Sequence, residues 1–127
     1  MVIAIIAILV GAAIPAYVDY MMRTRVAEGI NLASSVRTAI SEARLVRGIF
    51  PNNNLQAGIS DSISSDYVSS ITVGAGGVIT VTFNTVTTGL NAEQDTIILQ
   101  PTYRAGSVSW SCTGGTVLTI YRPDNCR

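Results

Sequence analysis

Hydrophobic and polar positions divide this chain into three regimes. From Met1 to Val18 the sequence MVIAIIAILVGAAIPAYV carries no charge. A run of this length lies at the lower edge of what spans a bilayer as a helix. Val, Ile and Leu each favour mid-membrane by roughly 0.3 to 0.6 kcal/mol, so the run prefers lipid to water. From Val26 the apolar positions narrow to one stripe, with Val26, Ile30, Ala33, Ile40 and Ala43 at helical spacing. Arg44 and Arg47 suit the negative end of a helix dipole, and Gly48 with Pro51 marks the stop. One helix from Met1 to about Arg47 would be roughly 70 Å long at 1.5 Å per residue. Only about 30 Å of it fits a hydrocarbon core, so the rest must project and bury its stripe in a head.

The segment from Asn52 to Asp66 is rich in Asn, Ser and Gly and reads as an irregular connection. After it the period falls to two. Tyr67–Val73, Val78–Asn84, Thr96–Arg104 and Ser107–Cys112 predict four antiparallel strands. Gly74-Ala75-Gly76-Gly77 and Ala105-Gly106 read as hairpin turns. Ile79, Val81 and Phe83 form an inward set, as do Ile97 and Leu99, with Trp110 as a further core anchor. Val117–Tyr121 reads as a short added strand, and Pro123-Asp124-Asn125 as a turn. The fold class is α+β, with a long N-terminal helix packed on a four-stranded antiparallel sheet.

Pro15 bears on how the helix behaves. It has no N–H, and its ring clashes with the carbonyl of Gly11, itself a poor helix former. A kink or a partly unwound stretch is expected between Gly11 and Pro15. Tyr17 and Tyr20 follow, where an interfacial aromatic belt would sit or where the stalk would pack on the head. Charges begin at Asp19. Asp19 with Arg23, and Arg25 with Glu28, have the spacing of ion pairs on a helix surface.

The greasy segment has three readings. A cleavable signal peptide finds support in Val10-Gly11-Ala12 ahead of Ala13, but no basic region precedes the apolar run. The second reading is a membrane anchor. The third is an apolar helix that packs against copies of itself, and the last two can hold at different times. The division expected is a stalk over residues 1–25 and a head over residues 26–127.

Composition narrows the chemistry. The 127 residues carry eight basic and eight acidic side chains, so net charge gives no general pull toward nucleic acid. All eight basic residues are Arg, and His is absent, which removes the commonest general base and metal ligand. No catalytic set, metal site or cofactor site emerges, and enzymatic activity is not expected. The glycines at 74–77 lack the Lys and Ser/Thr of a phosphate-binding loop. Cys112 and Cys126 lie too far apart for a zinc or redox pair. Outside the cytoplasm they read as a disulfide closing a C-terminal loop, worth roughly 3 kcal/mol. In a cytosolic protein they would be two buried thiols.

The stalk IAIIAILVGAAIPAYVDY (Ile3 to Tyr20), the R-x-R-x-A-E segment that follows, and the pair Cys112 and Cys126 resemble the type IVa pilins. The order of elements extends the resemblance over essentially the whole chain. In that family the mature N-terminus reads close to FTLIEL before the apolar run. The sequence is therefore expected to lack that stretch and the leader, with Met1 an internal residue of a longer precursor. The leader-cleavage site, the methylated N-terminal residue and the acidic residue used in assembly have no positions here.

The resemblance implies a structural subunit of a helical homopolymer of identical subunits. Val2, Ile3, Ile5, Ile6, Ile8, Leu9, Val10, Ile14 and Tyr17 would pack in the filament core, with Gly11 and Pro15 as the helix break. Before assembly the stalk would sit in the inner membrane and the head in the periplasm, for extraction by the pilus assembly machinery. At the cell surface the fibre would support adhesion, twitching motility or DNA uptake. The loop from Thr113 to Asn125 resembles the family's disulfide-bounded tail and has two readings: a structural lock for the sheet edge, or, through Thr113, Pro123, Asp124 and Asn125, a contact loop for surfaces, host receptors or neighbouring subunits. The nearest alternative is a pseudopilin of a type II secretion system.

Overall fold

The computed structural model describes residues Met1–Arg127. Helix α1 runs Val2–Leu32 and α2 runs Ser34–Arg47, separated only by Ala33. Ala33 keeps right-handed backbone angles (φ −71°, ψ −5°), and its N–H still bonds the carbonyl of Gly29. The two therefore form one bent helical span, Val2–Arg47, of 46 residues. Pro15 lies inside α1, and the backbone is helical on both sides of it. The free subunit thus keeps Gly11–Pro15 wound; the interruption lies at residue 33.

At Gly48 the chain turns into the left-handed region (φ 77°), and its N–H caps the carbonyl of Arg44. Glycine adopts that conformation without steric penalty. The Arg44 guanidinium bonds the Gly48 carbonyl and stacks on the Tyr103 ring, 4.1 Å from its centroid. A short helix α3, Asn54–Ala57, interrupts the expected irregular connection; the Asn53 side chain accepts from the Gln56 N–H at 2.8 Å. Asn at that position satisfies an otherwise orphaned helix donor.

The sheet contains β1 (Val68–Val73), β2 (Ile79–Phe83), β3 (Thr96–Arg104) and β4 (Ser107–Gly114), all antiparallel to their neighbours and in sequence order. Tight turns join β1 to β2 and β3 to β4, as expected. A longer connection from β2 to β3 contains the single helical turn α4, Thr85–Thr88. Val81 pairs with Ile71 on one side and Ile97 on the other, which puts all three on one face. That face is fully buried, and α1 and α2 cover it. Val26, Ile30, Ala33, Val36, Ile40, Ile79, Phe83 and Leu99 join it in one core cluster. Burying each large aliphatic side chain there contributes roughly 1.5–3 kcal/mol.

Trp110 is half-buried at the seam between helix and sheet, not in the core interior, and its indole N–H donates to Ser41 Oγ at 3.2 Å. An indole needs such a partner, which favours a seam position. Residues Thr119–Tyr121 form a 3-10 turn in place of the expected strand. Their backbone faces α1 and not a sheet edge: the Ile120 carbonyl accepts from Arg23.

Candidate functional site

Two regions carry the chemistry of this chain: the bare stalk and the loop closed by the cysteines. Along α1 no residue before Asp19 is even half-buried, and Val26 is the first fully buried one. Ile3 is 83% exposed and Ile8 72% exposed. Val2, Ile5, Ile6, Leu9, Val10, Ile14 and Tyr17 are likewise uncovered, so all nine candidate core-packing positions lie on one unpartnered rod. By length and composition this helix can cross a membrane. A helix apolar on every side demands a dry environment all round.

The ion pairs expected on the helix surface do not form. The only ion pair is Arg127 with Asp124, at 3.3 Å. Arg23 instead gives Nε and Nη2 to the Ile120 carbonyl, at 3.2 and 2.8 Å. Arg25 gives Nη1 to the Thr88 carbonyl at 3.2 Å and lies over the Tyr67 ring. Both arginines reach past the nearby carboxylates to backbone carbonyls of distant loops. The arginines thereby fasten two loops to the helix.

Cys112 and Cys126 are joined in a disulfide, with Cα atoms 4.8 Å apart. Inside the loop they close, Arg122 is buried, a role that its position in the sequence does not announce. Its Nε donates to the Val117 carbonyl at 2.7 Å, Nη1 to those of Thr113 and Gly114 at 2.5 and 3.1 Å, and Nη2 to that of Gly115 at 3.0 Å. Burial pushes its pKa below the usual guanidinium value, because the charged form is desolvated. One side chain therefore pins four carbonyls across the loop. Thr113, Asp124 and Asn125 stay exposed, and Pro123 is half-buried. They share the loop but form no pocket. No group of three or more Cys, Asp or Glu side chains stands close enough to hold a metal ion.

The comparisons with known proteins agree with this geometry. Residues 22–127 match the Pilin family of bacterial filament proteins. The chain is 38% identical to the fimbrial protein EcpC of Eikenella corrodens, over 99% of this chain and 84% of that protein. It is 39% identical to the type IV major pilin PilE of Neisseria gonorrhoeae, over 87% of this chain and 67% of that protein. A crystal structure of a Pseudomonas aeruginosa type IV pilin superposes with a TM-score of 0.63 at 30% identity, covering 84% of this chain and 98% of that one. Proteins of this kind are structural subunits of pili, not enzymes. With its uncovered apolar rod, its helix-backed four-stranded head and its cysteine-closed tail, this chain belongs to the pilin family, as a type IV pilin and a subunit of a surface pilus.

Proposed function

We propose that the stalk, residues 1–25, serves two dry environments in turn. In the inner-membrane pool its partner is lipid; in the fibre its partners are the stalks of identical subunits. The single observation that carries this reading is the rod from Val2 to Tyr17, uncovered while the head, residues 26–127, has a complete core without it. Exchange between the two surroundings costs little hydrophobic free energy, because both exclude water. Contacts of one surface with a different surface on the next copy propagate into an open helical filament. Extraction from the membrane falls to the assembly machinery. The assembled fibre then serves surface adhesion, twitching motility or DNA uptake, with Thr113, Asp124 and Asn125 offering polar contacts, and Pro123 an apolar one, to a surface or receptor.

The test is Ile8→Asp. A carboxylate in mid-stalk is disfavoured by about 2.5–3.5 kcal/mol in a dry environment. The variant should still form the Cys112–Cys126 disulfide yet yield no sheared fibres in electron micrographs. Wild-type fibre yield would overturn the proposal. For the contact loop, Asp124→Ala with Asn125→Ala should leave fibre yield unchanged and lower adhesion; unchanged adhesion would remove the loop from that role.

A further inference from the structure

Two surface loops flank α1 just beyond the end of its uncharged run, and an arginine ties each to the helix. Arg23 holds the 3-10 turn at Ile120; Arg25 holds α4 at Thr88. Residues two apart on an α-helix point about 200° apart around its axis. The two tethers therefore leave from opposite sides, and the stalk passes between the loops. Each loop offers exposed apolar side chains at its tether: Leu118 and Ile120 on one, and Val86, 90% exposed, on the other. Tyr17 and Tyr20 are exposed on the helix beside them.

Depth gives this arrangement its meaning. Arg23 lies about 7.5 Å and Arg25 about 10.5 Å beyond Val18 along the helix axis. The polar layer on each side of a bilayer is about 5–8 Å thick. Side chains on a helix lean toward its N-terminus, so each loop is held below its arginine's own Cα; Tyr67, under Arg25, lines one hollow with Tyr17, Tyr20 and Met21. With Val18 at the hydrocarbon boundary, the undersides of the loops therefore face the headgroup layer, where tyrosines are favoured. We infer that the underside of the head is a membrane-facing foot, in which Val86, Leu118 and Ile120 rest in the phospholipid headgroup layer while the subunit waits in the bilayer. The inference rests on the membrane stage of the function proposed above. It adds the contact that fixes the height and tilt of the head. Isolated exposed apolar residues need no explanation, but here two separate loops place them around one membrane-length helix, on tethers only about 3 Å apart along its axis.

The experiment uses the full chain in phosphatidylcholine vesicles, with Trp110→Phe to remove the only native tryptophan. Single tryptophans are then placed by Ile8→Trp, Val86→Trp, Ile120→Trp or Tyr103→Trp, and a non-reducing gel confirms the disulfide in each. The lipids carry bromine at either a shallow or a deep acyl carbon. Ile8→Trp should be quenched by the deep label, and Tyr103→Trp, on β3 away from the foot, by neither. Val86→Trp and Ile120→Trp should emit to the blue of Tyr103→Trp and be quenched at least about twofold more by the shallow label than by the deep one, as interfacial residues are. If both behave like Tyr103→Trp while Ile8→Trp is quenched, the foot is overturned and the membrane stage stands. If Ile8→Trp is unquenched, the membrane stage itself fails. If the two foot indoles are shielded only in assembled fibres, the underside is a contact between copies and the foot is again overturned.

Discussion

The ring of Phe83 fills the space in which a β-carbon on Gly29 would stand. At this one turn of α1 the helix approaches the sheet closely enough that only hydrogen fits, and the Val68 side chain closes the space from the other side. The stalk's continuation is set against the head at that point.

Gly29→Ala should therefore destabilise the head although Ala is the better helix former by about 1 kcal/mol. Overpacking a filled core costs typically 1–3 kcal/mol and here exceeds the gain, leaving a net loss of up to about 2 kcal/mol. Urea unfolding of the full chain in detergent measures it. Phe83→Leu in the same chain should recover part of the loss, so that the double variant falls short of the sum of the singles. A Gly29→Ala chain as stable as wild type would show that Phe83 yields freely.

Arg122→Met should loosen the tail with the disulfide intact. It leaves the carbonyls of Thr113, Gly114, Gly115 and Val117 without their donor; the buried one, Val117, costs about 1–3 kcal/mol when unsatisfied, and the three partly buried ones less, because water reaches them. The expected result is faster proteolytic cleavage between the two cysteines in non-reduced protein. Arg122→Lys, a point charge without the guanidinium fork, should fall between the two. Equal cleavage rates in all three would mean that the disulfide alone holds the loop.

Ala105 is the only non-glycine residue with positive φ, at 49°, in the two-residue turn between β3 and β4. Such hairpin turns favour Asn before Gly. Ala105→Asn should raise stability by about 0.5–1 kcal/mol, since the left-handed region is unfavourable for Ala. Calorimetry would register it as a higher melting temperature; an unchanged or lower value would show that the turn gains nothing from the preferred residue.

Pro15 leaves the Gly11 carbonyl without its helical partner even in a wound helix. Amides in the Gly11–Val18 segment of assembled fibres should exchange with deuterium faster than those of Val2–Val10, and Pro15→Ala should slow them. Equal protection throughout the stalk, with continuous helical bonding from Ala7 to Val18 in a fibre map, would remove the weak point.

Periodicity made most of the architecture readable. The helix stripe from Val26 to Ala43 and the alternation at Ile79, Val81 and Phe83 are statements about which face is dry, and the folded chain honours both. The stalk was legible for the same reason. What escaped was the side-chain to backbone bonding of polar groups. Arg23 and Arg25 sit at good spacing for carboxylates but choose carbonyls brought in from Ile120 and Thr88, far along the chain. Arg122 reads as an ordinary surface cation until the loop folds around it. Asn54, buried, donates to the Ile71 carbonyl at 3.2 Å and accepts from the Val73 N–H at 2.7 Å, a pairing that no local pattern encodes. The small helix α3, in contrast, left a local signal in Asn53 and Gly58 that a reading for loop composition passes over.

Asn54 has a consequence for life in a crowded polymer. Its amide imitates a neighbouring peptide group along the outer margin of β1, and Arg122 occupies carbonyls at the far end of β4. Open margins of a sheet are where separate molecules stitch together irreversibly. With Ile71 and Val73 bonded to Asn54, and the carbonyls of Thr113 and Gly114 taken by Arg122, those stretches of the two margins have nothing left to offer a strand from a sister molecule packed alongside.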